Sequence, residues 1–588
     1  MMAHLNTLLA PGAMPVIGRM FEAGAGQEEA VPARLAAPAV AAPVLPFVGT
    51  VRTFRPGAGI TVERRLTLAH DLYLADHHFV HAPGVKTMAE CFPVLPMTVS
   101  LEAMAEAAAC LAPGYGLLGF EQVTARRWIA LEQGGELALR IEGKVLDDAA
   151  PDGRRRIAMQ VFAGAGDAAA AIDATVCFGT HHVPAQPMPA RGGAATVQDA
   201  ARLYGERHLF HGPRFRGLSG PVRVRAEGAS GAALVRHADD WFAGESQPQM
   251  LLDPALLDTV GQLAAVWAMQ HGRTAFPIGL GQLELHAPTP APGTLLPIHL
   301  TIVDQQLKML IADVDIGDGE GGLWLRISGW KSWQFDWAPQ LVAFQRQPAH
   351  SLLSEALPVP GAAAGLVGRR VAGGMVRGFD LALLARHYLH GSEWQAFSAK
   401  SALPARQRDW LLGRIAAKDA ARVWCARPGL HPAAFTIVND VSGQPAVGDW
   451  PPGWPRPRIC IAHADGHALA LASDAPAGVD IEKIAPRDAH CVESFCTAHE
   501  RGLLAAVPDA ERDAWITRLW CAKEAFGKRL GTGAAGGPHR FQAHSLAGDF
   551  SLGMRHAATG EQARIDTVRD GEFVIAFDTD SVAPAIAT

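Results

Sequence analysis

The chain has 588 residues, 49% apolar and 19% charged, with a formal net charge of −6, which describes a globular protein with ample core and room for about four domain-sized lobes. No dense Lys/Arg stripe offers a footing for nucleic acid, and no apolar run of about 18 residues or signal-peptide pattern predicts a membrane span or export. The eight cysteines are scattered without CxxC pairs or Cys/His clusters, so neither a disulfide framework nor structural zinc is expected, and a reducing cytoplasm fits.

Residues 1–45 read as a short helix and an Ala/Pro linker with no face to bury. From Leu45 the segments VGTVRTF and ITVERRLTL alternate as strands. Pro96 then opens a predicted helix to about Leu111, with Leu101, Met104, Ala105 and Ala108 on its apolar side and Gly114 beyond its end. Strand patterns follow in RRWIALE, ELALRIEGKVL, RRIAMQVFAG and AIDATVCFG. One long helix wrapped by an antiparallel sheet is the hot-dog arrangement, here over 46–185. After a linker near 185–195 the pattern repeats over 196–347, with a second helix in DPALLDTVGQLAAVWAMQHG. A linker at 348–365 precedes a final segment, 366–578, which carries an internal repeat: Ala417-Lys418-Asp419-Ala420 echoes Ala522-Lys523-Glu524-Ala525. The fold class is α+β; a tandem double hot dog followed by two similar lobes is what the resemblances given below imply.

In an extended GVDIE segment, Asp480 and Glu482 fall on one face. Two adjacent carboxylates repel unless a cation lies between them, and hard oxygen pairs suit Mg²⁺. Downstream, WCAKEAFGK reads as a helix that sets Glu524 and Lys528 on one side. Acids with a lysine can hold a metal and a phosphate ester together, as Mg²⁺-assisted phosphoryl-type transfer requires. Either piece alone also reads as a solvated surface; the combination is far more specific.

GVDIE, Phe495, Glu500 and WCAKEAFGK together resemble the 4′-phosphopantetheinyl transferases of the surfactin-synthetase-activating type, over roughly Leu366 to Ala576. The resemblance implies two pseudo-twofold lobes with coenzyme A in the cleft, CoA as donor and a carrier-protein serine as acceptor. It places Mg²⁺ on Asp480, Glu482 and Glu524, sets Lys528 at the phosphate that gains charge, and lets Glu524 or a bound water take the serine proton. Glu500 stands behind the site. His463, in RICIAHADG, matches the turn that touches the CoA 3′-phosphate, with Arg414, Lys418 and Lys523 as further CoA-binding candidates. The nearest GxDS-like serine, at Asp580-Ser581, has no helical context, so the carrier is expected in trans.

Upstream, Asp76-His77, the LPMT helix start, HGPRF (His211 to Phe215) and LLDxxxQ (Leu256 to Gln262) resemble the dehydratase domains of polyketide and fatty-acid synthases, over Pro46 to Gln347. The flavour is that of enediyne and polyunsaturated-fatty-acid synthases, whose chains can also end in a phosphopantetheinyl transferase. Dehydrating a β-hydroxyacyl thioester needs a base for the α-proton and an acid for the hydroxyl. His77 is the candidate base. Asp258 is the candidate acid, its carboxyl expected to be raised by desolvation on an apolar helix. Gln262 would orient the leaving hydroxyl and Tyr204 would bond at the rim; His77 and Asp258 should face one tunnel. One departure stands out: His81 occupies a position where the family has glycine, so the N–H groups near Met97 and Thr98 are the candidate donors to the thioester carbonyl, and His78 and His81 are spare bases. Two rival readings are a non-catalytic hot-dog platform for carrier docking beside an active transferase, and thioester hydrolysis or isomerisation on the same scaffold. Expected partners are carrier proteins and synthase components, with a homodimer left open.

Overall fold

The computed structural model describes residues 45–579 except 132–134, 148–152, 165, 167–168, 190–191, 246–247, 363, 428 and 534–536, so the expected N-terminal helix and linker and the Asp580-Ser581 pair lie outside the described residues. Two compact units result: Met1–Phe79 with Thr87–Asp336, and Val80–Lys86 with Trp337–Thr588.

In the first unit, helix α1 (Met97–Ala109) is buried at every position from Thr98 to Ala109. A helix that is apolar nearly all round belongs inside a core. Its two glutamates are spent on backbone: Glu102 accepts the Leu251 and Leu252 N–H groups at 2.6 and 2.8 Å, and Glu106 accepts those of Phe47 and Val48 at 2.6 and 3.0 Å. Helix α2 (Pro254–Gln270) opens on Asp253, whose carboxylate accepts the Leu256 N–H at 2.9 Å, with Pro254 in the first turn.

Among the described residues a 13-stranded antiparallel sheet runs past both helices. Strands Thr50–Arg55, Gly59–Thr67, Glu136–Asp147, Arg155–Ala163, Ile172–Gly179 and β1 (Gly116–Ala125) form its first half, and α1 packs against it. β2 (Thr274–Leu285), Leu323–Phe335, Met309–Gly317, Leu295–Gln305, Gly228–Leu234, Leu218–Arg225 and Thr196–Asp199 form the second, against α2. These are two hot dogs sharing one sheet, joined where β1 pairs with β2 and Glu121 faces Gln282. The joint needs glycine on both strands. At Gly119 (φ +147°) a Cβ would sit 1.8 Å from the Leu283 carbonyl oxygen, and at Gly279 (φ +153°) 2.2 Å from that of Val123.

The second unit has two lobes. Helix α3 (Pro404–Trp424) packs on a 6-stranded sheet containing β3 (Arg458–Ala464), and helix α4 (Arg512–Arg529) on a 5-stranded sheet containing β4 (Gly478–Lys483). A shared core joins the lobes, with Cys460, Leu469 and Leu471 against Val479, Ile481 and Phe577. The expected boundary at 347 and the linker at 348–365 are corrected: the second unit begins at Trp337. Leu341, Phe344 and Leu353 enter its core, Phe344 stacks on Tyr388 at 4.4 Å, and Glu355–Ala356 pairs with Leu366–Ala372. Within that Ala/Pro-rich stretch Leu353, Ser354 and Leu357 are buried, while Gly361, Ala362, Ala364 and Gly365 are exposed.

Candidate active sites

In the first unit, Asp76 and the HGPRF turn hold each other. The Asp76 carboxylate accepts the Arg214 backbone N–H at 3.1 Å and its guanidinium at 2.9 Å, and a Cβ on Gly212 would lie 2.2 Å from Asp76 Oδ1. This clamp sets His77 and His211 on one cavity of about 150 Å³, together with Asp258, Gln262, Pro96, Met97 and Ser100. One ligating atom each from His77, His211 and Asp258 lies within 4.8 Å of the others. Phe79, Trp128, Phe210 and Phe276 wall the cavity, with Phe79 centroids 4.9 to 5.4 Å from the other three.

His77 Nδ1 lies 2.7 Å from the Val94 carbonyl oxygen, so that nitrogen carries the proton and Nε2 is left as a base. Burial, only partly opposed by the Asp258 charge, lowers the His77 pKa to about 4. His211 Nε2 lies 3.1 Å from Asp258 Oδ2, and its ring stacks on Phe210 at 4.2 Å. Sequence reasoning quoted His211 only within HGPRF and gave it no role; the signal available was its place beside the motif that clamps Asp76.

Three expectations change here. Burial does push the Asp258 carboxyl up, but the His211 and His77 charges and the Gln262 amide outweigh it and hold the group below its ordinary range. Gln262 is not free to orient a leaving hydroxyl: its amide nitrogen donates to the Phe215 carbonyl at 2.7 Å and to Asp258 at 2.8 Å. Tyr204 is not at a rim. It is buried, donates to Gln262 Oε1 at 2.5 Å and accepts the Leu218 N–H at 2.9 Å. Neither His78 nor His81 is among the residues that line the cavity. The start of α1 has no side-chain cap, and Pro96 and Met97 reach the cavity, so first-turn N–H groups are available to a thioester carbonyl.

In the second unit, Asp480 and Glu482 lie on β4, beside β3 of the other lobe. Asp480 Oδ1 is 2.8 Å from Lys528 Nζ, while its buried Oδ2 has no hydrogen-bond partner among the described residues. Glu482 accepts the Trp520 indole N–H at 3.2 Å, and burial followed by the Asp480 charge raises its carboxyl. Lys528 is pulled above its ordinary range despite burial, chiefly by Asp480, with Glu524 contributing. An orphaned carboxylate oxygen beside a second, destabilised carboxyl fits a hard divalent cation.

Lys418 and Lys523 are corrected from CoA ligands to buried structural groups. Lys418 Nζ lies 2.7 Å from Glu393 and 2.9 Å from the Pro432 carbonyl, whereas Lys523 Nζ lies 2.9 Å from Glu500 and 2.8 Å from the Phe495 carbonyl. Each glutamate closes a capping box and accepts a strand N–H, from Ile437 or Ala543. The lobes thus repeat the same internal ion pair, and Glu500 belongs to it. Arg414 is half-buried with its guanidinium 4.7 Å from the Trp410 ring, and His463 is exposed on β3. A Cβ on Gly413 would come within 3.9 Å of the His463 ring, so α3 packs against β3 at that point.

Residues 180–336 match the family model of the polyketide synthase dehydratase N-terminal domain, and residues 476–577 that of the 4′-phosphopantetheinyl transferase superfamily. A 4′-phosphopantetheinyl transferase of Bacillus pumilus is 36% identical over 83 residues, which is 14% of this chain and 36% of that protein. A polyunsaturated fatty acid synthase polypeptide of Thraustochytrium sp. is 24% identical over 275 residues, covering 44% of this chain and 9% of that one. The chain thus spans about a third and about a tenth of the lengths of these relatives. Among solved structures, the dehydratase domain from the CurF module of curacin polyketide synthase aligns with a TM-score of 0.39 at 14% identity, over 50% of this chain and 99% of that one. The chain therefore joins a dehydratase domain of the polyketide and polyunsaturated-fatty-acid synthase type to a domain of the 4′-phosphopantetheinyl transferase superfamily.

Proposed function

We propose that the chain is a bifunctional enzyme that transfers 4′-phosphopantetheine from CoA to a carrier-protein serine and dehydrates β-hydroxyacyl chains later tethered to such carriers. The observation that carries the dehydratase half is the convergence of His77 and Asp258, from opposite hot dogs, on one apolar cavity. His77 Nε2 takes the α-proton, the N–H groups at the start of α1 hold the thioester carbonyl as charge builds on it, and the Asp258 group serves the departing hydroxyl. The aromatic wall excludes water and receives the acyl chain.

The orphaned Asp480 oxygen beside Glu482 supports the transferase half. Asp480, Glu482 and Glu524 would hold Mg²⁺, which supplies charge neutralisation on the CoA pyrophosphate. Lys528, kept charged by Asp480, faces the phosphate; Glu524 accepts the serine proton; His463 and Arg414 meet the 3′-phosphate.

Incubation of the full chain with Mg²⁺, CoA and apo carriers should convert a carrier to its holo form, read by intact-protein mass spectrometry. Asp480→Ala should abolish the gain, while His463→Ala should mainly raise the KM for CoA. No mass gain on any of several carriers would sink the transferase reading. With 3-hydroxyacyl carriers, His77→Ala should stop enoyl formation and leave priming intact. A wild-type protein that primes but never dehydrates would leave the docking platform as the role of the hot dogs.

A further inference from the structure

We propose that Gly261 and Ala265 set which acyl chains the first unit dehydrates, because the tail beyond the reacting carbons lies along their face of α2; this deepens, and rests on, the dehydratase reading above. Asp258, Gly261, Gln262 and Ala265 all line the cavity. Their spacing puts them on one side of the helix. Ala265 stands about 10 Å beyond Asp258 along the helix axis. The cavity therefore continues well past the reacting carboxylate.

The order of the substrate's own atoms gives its direction. The first-turn N–H groups of α1 hold the thioester carbonyl, His77 faces the α-carbon and Asp258 serves the β-hydroxyl. The thioester end thus lies toward α1, and the carbons beyond Cβ continue past Asp258 on the α2 side. The lining there suits an alkyl tail and not the amides of a pantetheine arm. Beyond Gln262, α2 and β2 contribute Ala265, Ala275, Phe276 and Pro277 to the cavity wall, with Thr274 as their one hydroxyl.

Gly261 is a glycine that packing does not require. It sits in the interior of the 17-residue α2, where glycine is destabilising relative to alanine. A Cβ there would meet the Trp330 ring at 3.6 Å and Pro277 Cγ at 3.8 Å, both ordinary contact distances. At Gly217, by contrast, a Cβ would lie 1.9 Å from Thr259 Oγ1 of the same helix, so that glycine is demanded by its neighbour. What the missing methyl of Gly261 preserves is open space beside Pro277, on the cavity wall.

The test uses the full chain with 3-hydroxybutyryl and 3-hydroxyoctanoyl carrier thioesters, following enoyl absorbance. Wild type should turn over both. Gly261→Ala, whose methyl fits the helix, should lower kcat/KM for the octanoyl substrate about 10-fold or more and leave the butyryl substrate within about two-fold. Ala265→Val should shift the ratio the same way. An equal loss on both substrates would mean that this helix face meets the pantetheine arm or only positions Asp258, and would overturn the proposal. An unchanged octanoyl-to-butyryl ratio would overturn it too, as would a wild type that dehydrates the butyryl chain alone. Should Gly261→Ala melt below wild type, the ratio for Ala265→Val decides. A wild-type chain that forms no enoyl product from either substrate removes the dehydratase reading itself.

Discussion

Lysines 418 and 523 show how one residue type changes meaning with burial. A surface lysine near a CoA cleft is a phosphate ligand; an ammonium with no exposure, salt-bridged to a buried glutamate, is a structural pin. Removing one partner of such a pair leaves an uncompensated buried charge, so Lys523→Met should cost about 3–5 kcal/mol in urea unfolding. A CoA ligand would instead raise the KM for CoA at unchanged stability. Lys528→Ala should abolish transfer and also lower stability, because it leaves the buried Asp480 carboxylate without its ion pair. At His77 the folded pKa, about 4, lies below the unfolded value of 6.5. Between these values the unfolded chain binds a proton that the folded chain refuses, so stability present above pH 6.5 is lost as the pH falls toward 4. Equilibrium unfolding across that window should show the loss in wild type and a weaker one in His77→Phe.

Helix α1 is both the core of a hot dog and a source of acceptors. Glu102 ties the loop before α2, and Glu106 ties the entering chain, to this buried helix. Burial raises both carboxyls, with the Glu102 charge adding to Glu106, so they pair as neighbours four apart rather than as free charges. Glu102→Leu should therefore destabilise by about 2–4 kcal/mol, because two buried N–H groups lose their acceptor. Glu102→Gln, which keeps one acceptor, should cost about half as much; thermal melting of the first unit distinguishes them. At the joint of the two hot dogs, Gly279→Ala meets both a positive φ and a partner carbonyl. It should cost about 2–4 kcal/mol and reduce dehydration with priming unchanged, because only the shared sheet is disturbed.

Across the whole molecule, the shift of the second unit's start to Trp337 changes what can be cut. A fragment from residue 366 loses Leu341, Phe344 and Leu353 from the core, and with Leu353 and Ser354 it loses the N–H groups that the buried Asp419 accepts at 3.1 and 3.0 Å. Three large buried side chains are worth well over about 5 kcal/mol together, so this fragment should be unfolded by circular dichroism. The full chain truncated only within 1–44 should keep both activities, which enzyme assays on the shortened protein would check.

The helices, the strand alternation, the two hot dogs, the AKDA/AKEA echo and the acidic pair in GVDIE were readable because each rests on local spacing: periods of 3.6 and 2, caps, and short motifs. The resemblance of the Asp76-His77 and LLDxxxQ motifs to dehydratase domains, rather than spacing, named His77 and Asp258 as the candidate base and acid. Local spacing could not state the lowered pKa of Asp258, the hydrogen bonds of Gln262 and Tyr204, the contact of His211 with Asp258 or the burial of Lys418 and Lys523. Those depend on which distant groups arrive within about 3 Å and on how much water is excluded there, because desolvation and hydrogen bonding set whether a carboxyl or an ammonium is charged, bonded or free. Tertiary packing alone brings the HGPRF turn against Asp76 and α2, and that contact decides the arrangement of the site.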